Sequence, residues 1–208
     1  MKRLCALLLA ALLLLSGCAA GRPDGSLPTL TVTFLDVGKA DCILLEAEGR
    51  AAMIDAGNQG DAEEILALLS AKGISSLDFL LLTHLDKDHI GGADALIESV
   101  PIGTIYAPDY DKGNKQYDQY IAALTAAGIE PVHPTEPVDL SLGQAQITLL
   151  PGEQAAYEES NDYSIFLELL YGQTSFLFAG DAEEARLAEY LASPDLRRFD
   201  VLKVPHHG

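Results

Sequence analysis

Cysteine is scarce, at three in 208 residues, and this excludes a disulfide framework as the source of the fold. Two of the three, Cys5 and Cys18, fall in the N-terminal stretch, and Cys42, inside Cys42-Ile43-Leu44-Leu45, reads as a small core residue. Basic residues are also few. Thirteen Lys and Arg stand against 31 Asp and Glu, a formal net charge of −18, which disfavours nonspecific nucleic-acid binding and removes any argument from a basic groove. Long apolar runs are missing except for Leu4 to Leu15, which is shorter than the about 20 residues needed to span a bilayer. Low hydrophobicity is not among the deficits. At 49% hydrophobic residues the chain can bury one core of ordinary domain size.

Lys2 and Arg3 ahead of that apolar run predict a signal peptide over residues 1–17. Its end, Leu15-Ser16-Gly17-Cys18-Ala19, resembles a bacterial lipobox, in which the cysteine is lipidated and becomes the mature N-terminus. Residues 18–28, with two Gly and two Pro between Gly21 and Pro28, read as a tether, and residues 29–208 as the domain. The protein is therefore expected in the bacterial cell envelope, outside the cytoplasm, lipid-anchored to the membrane. Removing Lys2 and Arg3 takes the formal charge from −18 to −20. Bound metal ions can still invert the sign locally, so an anionic substrate is not excluded.

Histidine is rare too, at five, yet four of the five fall in two clusters. The first is Thr83-His84-Leu85-Asp86-Lys87-Asp88-His89-Ile90-Gly91-Gly92, directly after the short apolar run Phe79 to Leu82, which reads as a buried strand. His84, Asp86, Asp88 and His89 would not share one face of a helix, but a tight loop opening toward a helix can bring them together. Imidazole and carboxylate at this spacing suit Zn²⁺, Mn²⁺ or Fe²⁺ rather than a thiolate site. The second cluster is His206-His207, after a strand-like stretch from Asp200 to Val204. Asp55 and Asp181 each follow an apolar strand, where a carboxylate serves as turn former or cap, or faces a cation.

Between these points, strands are predicted over Leu30–Leu35, Cys42–Glu46, Ala51–Asp55, Asp78–Thr83, Ile102–Tyr106, Val138–Leu140, Ala145–Leu150, Ser164–Leu170 and Thr174–Ala179. Helices are predicted from Asp61 to Gly73, with Asp61 able to cap and Glu64 at the capping-box position, over Ala93–Ser99, and over Tyr117–Ala127 with Gly128 as stop. Gly60-Asp61-Ala62-Glu63-Glu64 recurs as Gly180-Asp181-Ala182-Glu183-Glu184, each opening a helix and strand that lead to a histidine cluster. Two similar halves follow, each a sheet with helices outside, with a site at the strand ends where they meet.

These residues resemble the metallo-β-lactamase-fold hydrolases, most closely the hydrolase domain of ComEC-type competence proteins and its stand-alone relatives. The resemblance covers nearly all of residues 29–208. It rests on Phe34-Leu35-Asp36-Val37-Gly38, Ile54-Asp55-Ala56-Gly57, Thr83 to Gly92, Ser160-Asn161-Asp162-Tyr163-Ser164, Phe178-Ala179-Gly180-Asp181 and Leu202-Lys203-Val204-Pro205-His206-His207-Gly208. It implies a four-layer αββα sandwich of the α/β class and one or two divalent ions, Zn²⁺ or Mn²⁺. His84 and Asp86 would bind one ion, Asp88 and His89 the other, and Asp181 would bridge them. His207 would complete the second set with His206 beside the substrate; the sequence leaves the reverse open. Asp55 would orient a ligand histidine, and Asn161 stands near a position where a third ligand of the first ion is missing. The implied reaction is attack of metal-bound hydroxide, held partly by Asp88, on a phosphodiester or other ester, with His206 as proton donor. Nucleic acid is an allowed substrate that the charge does not support, and a non-catalytic surface module with the same fold is the alternative. Departures are Asp86 in place of a histidine, as in the ComEC-type branch, Lys39-Ala40 in place of Gln-Gly, and a stop at Gly208 where the family continues through further strands and a helix. The domain is thus expected to be C-terminally incomplete.

Overall fold

The structure is a computed structural model that describes residues 28–206. The signal peptide and Cys18 at one end, and His207 and Gly208 at the other, lie outside the described residues. Two five-stranded sheets form the centre. In the first, β1 (Leu30–Phe34), β2 (Ile43–Ala47), β3 (Arg50–Ile54), β4 (Leu77–Leu81) and β5 (Ile102–Tyr106) lie in chain order. The first two pairings are antiparallel and the last two parallel. The second is ordered β10 (Val201–Lys203), β9 (Thr174–Phe178), β8 (Phe166–Tyr171), β7 (Ala145–Leu150), β6 (Val138–Leu142), antiparallel except for the parallel pair β9–β10.

The parallel pairs need crossovers, and helices supply them. α1 (Ala62–Ala71) joins β3 to β4; the one-turn α2 (Lys87–Ile90) and α3 (Ala93–Ser99) join β4 to β5. α4 (Lys115–Ala127) follows β5, and α5 (Glu184–Ala192) joins β9 to β10. Strand alternation divides the apolar residues between the two faces of each sheet. Leu44, Met53 and Leu80 pack under α1, α3 and α4 with Ile65, Leu69, Leu96 and Leu124. Ile43, Leu45, Ile54, Phe79 and Leu81 turn inward and meet Ile147, Leu149, Leu167, Leu169 and Phe178 of the second sheet. Phe166, Leu177 and Tyr190 form a smaller core beneath α5. The layers are therefore helix, sheet, sheet, helix, as the sequence leads one to expect.

One local expectation is corrected, and the cap reading left open for Asp181 is removed. Asp61 does not cap α1 through its own side chain; a 3₁₀ turn, Gln59–Asp61, precedes the helix, and the Asp61 carboxylate reaches back to accept from the Asn58 amide at 2.7 Å. Nor does Asp181 cap α5, whose N-cap is Glu183. That helix start is held from a distance by Asp162, whose Oδ1 accepts from the amides of Glu183 at 2.9 Å and Arg186 at 3.1 Å. The repeated pentapeptide is thus not one structural unit used twice, although the βαβ crossovers that contain it correspond.

Candidate metal centre

Strand direction puts the loops after β1, β3, β4, β5, β7 and β9 at one end of the sandwich, together with the end of β10. There the chain makes two close approaches that only glycine permits. A Cβ on Gly91 would lie 2.3 Å from the Gln59 nitrogen, and one on Gly92 2.6 Å from the Ala56 oxygen. The Gly91 and Gly92 amides instead donate to Gly57 and Ala56, and the Ala56 amide donates to the His89 carbonyl at 2.7 Å. α2 is thereby clamped to the loop that carries Asp55. On the other sheet Gly180, at φ +54°, would carry a Cβ 2.9 Å from that of Thr83, so glycine lets the Asp181 turn sit directly against Thr83-His84.

His84, His89 and Asp181 converge between these loops, all buried, with one ligand atom of each within 4.8 Å of the others. Asp55, itself at φ +59°, organises the group from beneath. Its carboxylate accepts from the Thr83 amide at 2.7 Å, the Thr83 hydroxyl at 2.8 Å and Nδ1 of His89 at 2.9 Å. That bond turns Nε2 of His89 toward Asp181, 3.3 Å away. Nε2 of His84 is buried and has no hydrogen-bond partner. Leaving a buried polar atom unpaired costs about 1–3 kcal/mol, and a divalent cation held by two imidazoles and a carboxylate removes that cost. The donor set fits Zn²⁺ or Mn²⁺.

The electrostatics agree with a cation site. Burial, and then His89, hold the His84 imidazole well below its ordinary value. Burial opposes charge on His89, but Asp55 and Asp181 outweigh it and raise its pKa to about 10. Burial likewise works against ionised Asp181, yet His89 and Lys203 hold its carboxyl well below the usual range.

The other expected residues are placed as follows. Asp86 and Asp88 stand outside the converging groups found among the described residues. Asp86 is ion-paired with Lys112 at 2.5 Å, and Asp88 is half-buried on α2, its carbonyl accepting from the Asp41 amide at 3.3 Å. Asn161 donates to Glu183 Oε1 at 2.7 Å, and Nδ1 of His206 lies 3.3 Å from the same oxygen. Three site residues were not assigned roles from the sequence: Asp41, Glu183 and Lys203. Asp41 forms a second close group with Asp55 and His89, and Lys203 pairs with Asp41 and Asp181. Asp41, Glu183 and Lys203 each lie within or beside a block quoted above, which is the only signal the sequence carries for them.

Comparison with known proteins agrees with this geometry. Competence protein ComA of Neisseria gonorrhoeae is 28% identical over 207 residues, covering 95% of this chain and 27% of that protein. Recombination protein 2 of Haemophilus influenzae is 30% identical over 188 residues, covering 88% of this chain and 22% of that protein. The chain thus spans about a quarter of the length of these relatives. In fold it is similar to the MIM-2 metallo-beta-lactamase, with TM-score 0.53 and 20% identity over 80% of this chain and 70% of that one. The profile of the metallo-beta-lactamase superfamily matches residues 35–208, and with the αββα layers and the histidine–aspartate cluster at the strand ends, the chain belongs to that superfamily.

Proposed function

We propose that the protein is a metal-dependent hydrolase of phosphodiesters. The observation that carries this reading is the buried, unpartnered Nε2 of His84 facing His89 and Asp181. A divalent ion bound there supplies Lewis acidity and lowers the pKa of coordinated water toward ~7. His84, His89 and Asp181 would hold it; the resemblance implies Asp86 beside His84 on one ion, and Asp88 and His207 with His89 on another. Asp55 keeps His89 in the tautomer whose Nε2 lone pair points into the site. Glu183, braced by Asn161, fixes Nδ1 of His206 and so directs proton transfer to a leaving oxygen through Nε2. Tyr110, whose hydroxyl accepts from the Leu85 amide at 2.7 Å, stacks on Tyr163 with ring centroids 4.1 Å apart, joining the two halves. A phosphodiester is favoured over other esters because similar proteins are named for competence and recombination, tasks that involve DNA. The same names and the lipobox-like Cys18 support a place in the bacterial cell envelope. Among the described residues no helix is long and apolar enough to cross a membrane.

A non-catalytic module with the same fold is the second reading, favoured by one observation: Lys112 is already ion-paired with Asp86, and Lys203 with Asp41 and Asp181. Metal analysis of the purified protein, together with turnover of bis(p-nitrophenyl) phosphate and of a thioester, separates the two. Bound metal with phosphodiester turnover, both lost in His84→Ala, supports the hydrolase. Bound metal without turnover of either ester supports the module, and preferential thioester turnover overturns the substrate class.

A further inference from the structure

We propose that the Nζ of Lys203 takes the place of a second cation, so that the site binds a single divalent ion. The inference rests on the metal site proposed above and concerns its stoichiometry. Lys203 ends β10 with its side chain 11% exposed. Its ammonium makes a close ion pair with Asp41, donates to the Gly180 carbonyl at 2.9 Å and lies 3.4 Å from Asp181 Oδ1. An ammonium has three hydrogens to place, and here three oxygens surround it.

Two groups of ligand atoms share His89. One joins it to His84 and Asp181, the other to Asp41 and Asp55. The second group is already satisfied by protein. Asp55 accepts from Thr83 and from Nδ1 of His89, and Asp41 is held by Lys203. Among the described residues two buried histidine nitrogens lack a hydrogen-bond partner, Nε2 of His84 and Nε2 of His89; both residues belong to the first group, and the second of these nitrogens lies 3.3 Å from Asp181. Charge gives the same answer. With the His89 proton displaced by the ion, Asp41, Asp55 and Asp181 together carry three negative charges and Lys203 one positive, so one divalent ion neutralises the remainder. A second ion would have to displace a largely buried ammonium from three oxygens and remain beside its charge, a substantial penalty away from bulk water. Lys112 acts in the same sense on Asp86, 2.5 Å away, while donating to Ser160 at 2.7 Å.

The test is metal stoichiometry. The full chain, stripped with a chelator, is titrated calorimetrically with Zn²⁺ and separately with Mn²⁺, and the bound metal is counted after gel filtration. The wild type should take one equivalent. Lys203→Met, which keeps the stem and removes the charge, should take two equivalents or bind the first at least tenfold more tightly. Lys203→Arg, which keeps the charge, should stay at one. Circular dichroism checks folding, and Lys203→Gln carries the same expectation if the Met variant does not fold. Two equivalents in the wild type, or a Met variant unchanged in both number and affinity, overturns the assignment of Lys203 and leaves the metal site standing. A folded wild type that binds no divalent ion overturns both.

Discussion

Asp55 shows how much a single side chain can decide. Its φ of +59° is a conformation that a non-glycine residue adopts at a cost of about 1–3 kcal/mol, sustained by the bonds from Thr83 and His89. Asp55→Ala should lower metal affinity about 10–100-fold while His84 and Asp181 remain in place, which competition with a chromogenic chelator would measure. The His89 pKa of about 10 sets a pH dependence. Because it lies above the ordinary imidazole value, charged His89 stabilises the metal-free fold fully below about 6.5, and that stabilisation is lost as pH rises through about 10. Metal must displace the same proton, so its affinity should rise by up to about tenfold per pH unit across this window. Calorimetry at pH 8 in buffers of different ionisation enthalpy should show proton release; identical heats in all buffers would mean that His89 is neutral beforehand. At this scale the sequence was informative where ligand types cluster, as at His84 and His89, and where a carboxylate ends an apolar strand, as at Asp181. It assigned no role to Lys203, Asp41 or Glu183, because each is a lone charge whose partner arrives from a segment distant in sequence.

At the scale of elements, the α5 start separates structure from chemistry. Asp162→Ala removes the acceptor of two helix-terminal amides and should cost about 1–2 kcal/mol, read as a lower Tm with metal content unchanged. Asp181→Asn should do the reverse, losing metal with little change in Tm, since the residue is not a cap. Equal metal content in wild type and Asp181→Asn would return Asp181 to the rank of an ordinary turn residue. The strands and longer helices were legible because period-2 and period-3.6 apolar patterns match the burial that the two sheets and their helices provide. The Ala93–Ser99 helix, the Ile102–Tyr106 strand and the Ala145–Leu150 strand have the bounds expected. Asp61 does not act as the expected cap because a pentapeptide says what a helix start can use and not what other loops bring to it.

Over the whole molecule, a net charge of −18 disfavours anions, and a divalent ion bound at the cation site would offset it locally. Binding to a single-stranded oligonucleotide at physiological salt should therefore be undetectable with chelator present and appear only with added Mn²⁺ or Zn²⁺, by fluorescence anisotropy. Comparable binding in chelator would place the nucleic-acid surface elsewhere. Cys18→Ala should move the protein from the membrane fraction to the soluble one, since stable anchoring needs more than one acyl chain on the cysteine; equal partition of both forms would remove the anchor from the account. The layered architecture could be read from the order of elements, but the convergence of loops from both sheets depends on strand direction, which no local pattern states.

The central claim is that hydrolysis depends on the ion held by His84, His89 and Asp181, and its most direct test is phosphodiester turnover by chelator-stripped protein as Mn²⁺ or Zn²⁺ is added back. The account predicts no turnover at the start, a rise that levels off when the site is filled, and a flat line for His84→Ala over the same range. Turnover that survives stripping, or a filled site with none at any concentration, would contradict it.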